Sequence, residues 1–179
     1  MKLKELKHGS IEIVKSPDLA HSRKYLDFGK GFYTTTNGEM AKRWATIKME
    51  REYSNEGYVN FYENKEFPPE FKVKHFTSMD EEWLDFIINN RNDLAFHHDY
   101  DVVIGPTADL DVVKIIQDYE QGIENKKQTL DKLKTKQVGT QISFHTERAV
   151  KHLKYIKHLK IDKSPTPPGT KQKNYGINR

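Results

Sequence analysis

Residues 57–63, GYVNFYE, alternate in polarity and are rich in aromatic and β-branched side chains, the pattern of a half-buried strand. YDVVIGP (100–106) reads as a buried strand closed by Gly-Pro, and TQISFHT (140–146) as a third strand. Leu3 to His8 and Ile11 to Val14 read as short extended segments. Amphipathic stretches lie among them. GEMAKRWATIKMERE carries Met40, Trp44 and Ile47, and also Ala41 and Ala45, at helical spacing. DEEWLDFIINN opens on acids and puts Trp83, Phe86 and Ile87 on one face. DLDVVKIIQDYEQG puts Val112, Ile115, Ile116 and Tyr119 on one stripe, with Gly122 as a stop. ENKKQTLDKLKTK reads as a polar helix, and ERAVKHLKYIKHLK as a last helix with Ala149, Leu153 and Ile156 on its apolar face. Strands this short and this unevenly spaced do not build a doubly wound parallel sheet. They predict an α+β fold with mixed or antiparallel strands.

The chain has 179 residues and no cysteine, which excludes disulfides, thiolate zinc sites and a cysteine nucleophile. No segment approaches the ~18 consecutive apolar residues of a membrane span. The start, MKLKELKHGSIEIV, lacks the continuous apolar core of a signal peptide, so a cytoplasmic protein with no membrane association is expected. The net charge is +4, but it is unevenly spread. Residues 1–147 carry 21 Lys and Arg against 25 Asp and Glu, whereas residues 148–179 carry nine against Asp162 alone. Basicity confined to one end reads first as a solvated terminus, and second as a weak electrostatic hold on nucleic acid. The end itself contains Pro165, Pro167, Pro168 and Gly169 and little that would anchor a core. The expected organisation is one domain over 1–162 and a flexible basic tail over 163–179.

DFGKGFYTTT (27–36) contains two glycines around Lys30. A P-loop needs four residues between its glycines and a hydroxyl residue after its lysine, so a phosphate cradle of that kind is absent. Alone, the pair reads as a hinge needing unusual backbone angles. His75 and the adjacent His97 and His98 have no carboxylate at a ligand spacing, and no metal is expected. His145, His152 and His158 read as surface residues of the last helix. LKHGS (6–10) differs: a strand ending in His8-Gly9-Ser10 gathers an imidazole, an approachable backbone and a hydroxyl at one point.

The combination of HGS, then GKGFYTT about twenty residues later, then a helix containing Ala41 and Ala45, resembles the ADP-ribosyltransferase superfamily, in the branch related to diphtheria toxin and the poly-ADP-ribose polymerases. More narrowly, HGS, DFGKGFYTTT, WLDFIINNR, YDVVIGPTAD and QISFHTERAVKHL occur in the order of a small bacterial family assigned to that superfamily. The resemblance implies a split, mostly antiparallel core of two small sheets with flanking helices, holding NAD as substrate in the cleft between them. It implies that His8 bonds the adenosine-side ribose and that Gly9 offers its backbone to the nicotinamide carboxamide, with Ser10 nearby. It also implies that Tyr33 stacks on the nicotinamide ring and that Gly29 and Gly31 shape the loop that brings it there.

The superfamily's third position is a glutamate opening a late strand, which bonds the nicotinamide ribose and stabilises the developing positive charge. Here the matching residue is Gln141, which can orient a hydroxyl but carries no charge and cannot act as a base. Glu147 is the nearest acid in the chain. It also follows Thr146, a good N-cap, where an acid suits the helix dipole. Arg91 either covers the last carbonyls of its helix, with Asn90, or reaches a pyrophosphate, as Arg23 and Lys30 also could. Asp27 is placed to brace the glycine loop. Three functions follow as expectations. One is transfer of ADP-ribose from NAD to a macromolecular acceptor, with toxins neutralised by antitoxin proteins among the relatives. The second is a binding module that has lost catalysis. The third is nucleic-acid association through the basic C-terminus.

Overall fold

Each strong period-two segment becomes a strand of one sheet in the computed structural model, which describes residues 5–162. The strands are β1 (Glu5–Ser10), β2 (Phe32–Thr35), β3 (Glu56–Glu63), β4 (Val73–His75), β5 (Val102–Pro106), β6 (Thr140–Phe144) and β7 (Lys154–Asp162). The helices are α1 (Gly38–Arg51), α2 (Glu81–Asn92), α3 (Leu110–Glu120), α4 (Lys126–Leu133) and the one-turn α5 (Glu147–Val150). Every helix starts where a side chain caps its free N–H groups: Asn37, Asp80, Asp109, Asn125 and Thr146. Caps of this kind stabilise a helix by about 1 kcal/mol each.

The strand order is β4-β5-β6-β2-β1-β3-β7, antiparallel except for the β4–β5 pair. The fold is therefore α+β, with a mixed, mostly antiparallel sheet and flanking helices. The two halves are pinched at their seam. β1 pairs with β3 along its whole length, from Glu5↔Glu63 to Ser10↔Tyr58, but meets β2 only at Lys7↔Thr35. The expected two small sheets are thus joined into one by a single residue pair.

Alternation along the strands divides the core. Leu6, Phe32, Ile142 and Phe144 point to one face and pack with Ala149, Val150 and Leu153. Val103 points to the other face, against Trp83, Leu84 and Ile87 of α2 and Val112 and Ile116 of α3. α1 lies on β1 and β3 through Ala41, Ala45 and Met49, all fully or almost fully buried.

Two expectations are corrected. The predicted last helix is one turn followed by nine residues of strand. Lys154–Asp162 pairs with β3 from Glu56↔Asp162 to Glu63↔Lys154, and a register shift leaves Ile156 without a partner and 48% exposed. The spacing of Ala149, Leu153 and Ile156 suited a helix, but the unpaired edge of β3 rewards extended chain there. Ile11–Val14 is not a strand. It is tied down by side chains of β3: Asn60 Oδ1 accepts from Val14 N at 2.9 Å, Asn60 Nδ2 donates to Glu12 O, and the Tyr62 hydroxyl donates to Val14 O at 2.6 Å. The predicted tail, 163–179, lies outside the described residues.

Candidate functional site

Lys7, Thr35 and Gln141 form a row across β1, β2 and β6. The three sequence motifs therefore lie on adjacent strands, at the level where β1 and β2 part. His8 follows Lys7 at the start of the gap. Its Nδ1 is 2.6 Å from the carbonyl oxygen of Tyr33. A carbonyl only accepts, so Nδ1 carries the proton and Nε2 presents a lone pair. The ring stacks on Phe32 at 4.3 Å. Burial, with the nearby Lys48 ammonium, pushes the His8 pKa down to about 3.

Lys48 was not foreseen. Its Nζ donates to Gly9 O at 2.8 Å and lies 3.3 Å from His8 Nε2. Burial, Arg51 and Arg23 lower its pKa to about 8. One signal was legible: Lys48 stands seven residues after Ala41, on the helix stripe that turns inward. Gly9 itself is a packing requirement. A Cβ there would lie 2.1 Å from Ala41 O and 2.7 Å from Ala45 N, so α1 can approach β1 only over a glycine. The Ser10 hydroxyl accepts from Glu12 N at 3.3 Å and turns the chain after β1.

The glycine loop before β2 is held at four successive carbonyls. His98 Nε2 donates to Phe28 O, the Tyr33 hydroxyl to Gly29 O, His145 Nδ1 to Lys30 O and the Ser22 hydroxyl to Gly31 O, at 2.7–2.9 Å. Tyr33 Oη also accepts from Phe28 N at 3.0 Å, and Ser22 Oγ from Gly31 N at 2.8 Å. Gly29 has φ 82°, and a Cβ there would meet Asn90 Oδ1 at 2.6 Å. Tyr33 is half-buried, and its ring stands nearly perpendicular to that of His145. Its hydroxyl is a loop latch, and burial raises its pKa.

His145 is correspondingly no surface residue. Its Nε2 accepts from Ser143 Oγ at 2.7 Å, and burial beside His98 lowers its pKa to about 4. No neighbouring residue signals this, because the loop that covers His145 lies more than a hundred residues away. His158 is exposed, on β7 rather than on a helix.

Gln141 is buried, and its Nε2 lies 3.2 Å from Asp27 Oδ2. Arg91 is engaged on Asp27 Oδ1, with Nε at 3.1 Å and Nη2 at 2.5 Å. It is Asn90 alone that bonds a helix carbonyl, Phe86 O. Tyr33 and Gln141 project from the same face of the sheet, by their pairing with Ser143 and Thr35. His8 stacks on Phe32 of the opposite face and reaches Tyr33 only through its main chain. Glu147 is exposed in the first turn of α5, behind the Thr146 cap. Among the described residues no cluster of three His, Asp or Glu is arranged to hold a metal ion, and no helix is long and apolar enough to cross a membrane.

A family model described as "Protein of unknown function (DUF3990)" matches residues 5–155. The chain belongs to the DUF3990 family. The DUF3990 match runs from the start of β1 into β7, and so includes every residue of the seam. Neither the curated proteins nor the solved structures contain a match.

Proposed function

We propose that this DUF3990 protein binds NAD in the gap between His8–Ser10 and Phe32–Thr34 and transfers its ADP-ribose to a macromolecular acceptor. The observation that carries this reading is the seam. The HGS and GKGFY motifs, whose order resembles that of ADP-ribosyltransferases, flank the point where the sheet parts, and Gln141 stands in the same row. The chemistry fits a dinucleotide. His8 is neutral, and its Nε2 is an acceptor that faces Lys48 at 3.3 Å, a place a ribose hydroxyl would take. The Gly9 carbonyl already accepts a donor from Lys48, so it is suited to accept one from a carboxamide. For that exchange Lys48 must leave Gly9. Tyr33 supplies an aromatic ring whose hydroxyl is fixed from behind.

The test is incubation with labelled NAD and cell lysate, following nicotinamide release and label transfer together. Both are expected, and His8→Ala and Tyr33→Ala are expected to weaken NAD binding. Absence of binding in the parent protein, or unchanged binding in both variants, overturns the reading. A second reading, a binding module without turnover, is favoured by one observation: Gln141 brings no charge to the position where the superfamily has glutamate. NAD binding without nicotinamide release selects it.

A further inference from the structure

Asp27 is the hub of three elements. Its Oδ1 takes the Arg91 fork from α2, and its Oδ2 lies 3.2 Å from Gln141 Nε2 on β6. The carboxylate side chain is only 16% exposed and its arginine 19%. An ionised carboxylate accepts and cannot donate, so Gln141 must turn its NH₂ toward Asp27. Its Oε1 therefore points the other way. That oxygen has no hydrogen-bond partner among the described residues. Among the described residues the sealed side-chain atoms without partners are Asn64 Oδ1 and Glu124 Oε2, and this oxygen is not one of them. Gln141, only 3% exposed, thus holds its carbonyl oxygen turned away from Asp27, with its orientation fixed from behind.

We propose that Asp27, held by Arg91, is a positioning residue that aims the Gln141 carbonyl oxygen at a ligand hydroxyl. This rests on the reading of Gln141 as the third residue of an NAD site, where the hydroxyl belongs to the ribose beside the leaving nicotinamide. Gln141 then keeps the accepting half of the glutamate's role, and the charge sits one residue behind it. The arrangement makes an uncommon demand. Restoring the superfamily's glutamate alone puts two carboxylates face to face with no proton between them, which disfavours ionisation of both. Exchanging both residues restores a donor: the amide introduced at position 27 offers its NH₂ to the carboxylate introduced at position 141 and keeps its carbonyl for Arg91.

The experiment compares the parent with Gln141→Glu, Asp27→Asn and the double variant, measuring NAD binding, nicotinamide release at saturating NAD, and thermal melting. Gln141→Glu is expected to release nicotinamide at least tenfold more slowly and to melt lower. Asp27→Asn is expected to lose rate with little loss of NAD binding, since an amide no longer dictates which end of Gln141 faces it. The double variant is expected to recover the parent's rate or exceed it. An active parent whose Gln141→Glu variant is equally fast, or whose double variant shows no recovery, overturns the role of Asp27 and leaves the NAD reading standing. A parent that binds NAD without releasing nicotinamide overturns the role of Asp27, and one that neither binds nor cleaves NAD overturns both.

Discussion

The ammonium of Lys48 lies 2.8 Å from the carbonyl oxygen of Gly9 and 3.3 Å from Nε2 of His8, so a helix side chain fills the end of the seam between β1 and β2. Two causes hold His8 neutral: burial, and after it this positive charge. Lys48→Met removes the second and leaves the first. The His8 pKa is expected to rise from about 3, read by ¹⁵N shifts of the imidazole across a pH series. A value that does not move would assign the whole effect to burial.

Gly9 tests packing separately from binding. A methyl group at this position meets main-chain atoms of α1, which cannot rotate away as a side chain would. Gly9→Ala is expected to cost about 3 kcal/mol or more, the upper range for overpacking, with α1 shifted off the sheet. Urea midpoints read the loss. Gly38→Ala is the control, since its Cβ would meet only the flexible Lys7 side chain at 3.8 Å. Equal, small losses at both positions would refute the close approach.

Helices with one dominant stripe were legible in the sequence. DEEWLDFIINN specifies α2, and Trp83 and Ile87 are fully buried where its spacing puts them. α1 was legible as a helix but ambiguous in its face. Met40, Trp44 and Ile47 compete with Ala41 and Ala45, and the small residues win because Gly9 lets the helix backbone come close. Ile47 is left 43% exposed. At the C-terminal end, local spacing and sheet pairing conflict, and the edge of β3 decides for strand. The site was legible as motifs and not as contacts. Nothing local to Asp27 announces Gln141, more than a hundred residues away, and nothing local to His145 announces the carbonyl of Lys30.

Two partly buried histidines set an acid limit on stability. In the folded protein His8 titrates near 3 and His145 near 4, below the ordinary value of 6.5. Between about pH 6.5 and 4 the unfolded chain binds protons that the folded chain does not. Stability therefore rises with pH across that window and is lost on acidification, and above it these groups contribute no slope. For His145 alone the loss by pH 4 is about 3 kcal/mol. His145→Gln should flatten the curve of urea midpoint against pH from 6.5 to 4.5, whatever its own cost at neutral pH. A parallel curve would show that His145 is not its source.

Tyr33→Phe separates the two roles of this side chain. The hydroxyl accepts from Phe28 N and donates to Gly29 O, so its removal leaves two main-chain groups of the loop without partners. The expected cost is about 1–3 kcal/mol, with faster hydrogen exchange at Phe28. The ring stays, so under the proposed NAD reading affinity for NAD should fall far less than in Tyr33→Ala. Equal loss in both variants would place the contribution of Tyr33 in ordering the loop and not in contact with the ligand.

Arg148 stands at the start of the basic C-terminal segment, yet its charge is committed inward. Its Nε lies 2.7 Å from Oδ1 of Asp101, a fully buried carboxylate that also accepts from Thr146 Oγ1 at 2.5 Å and from Lys72 N at 2.9 Å. These donors, Arg148 first, hold the Asp101 carboxyl well below its usual range. Arg148→Ala strips the main counter-charge from Asp101, which is destabilising because the carboxylate loses its charged partner. The arginine is itself half exposed, so the expected loss is smaller than for a pair buried on both sides, but measurable. Arg148→Lys keeps the charge without the fork and should fall between the parent and alanine. Lys151→Ala, a neighbouring exposed cation, should stay within about 0.5 kcal/mol of the parent. Denaturant titration of the four proteins orders them. An alanine variant as stable as the Lys151 control would mean that Asp101 is satisfied by its remaining donors, and that Arg148 belongs to the solvated basic surface after all.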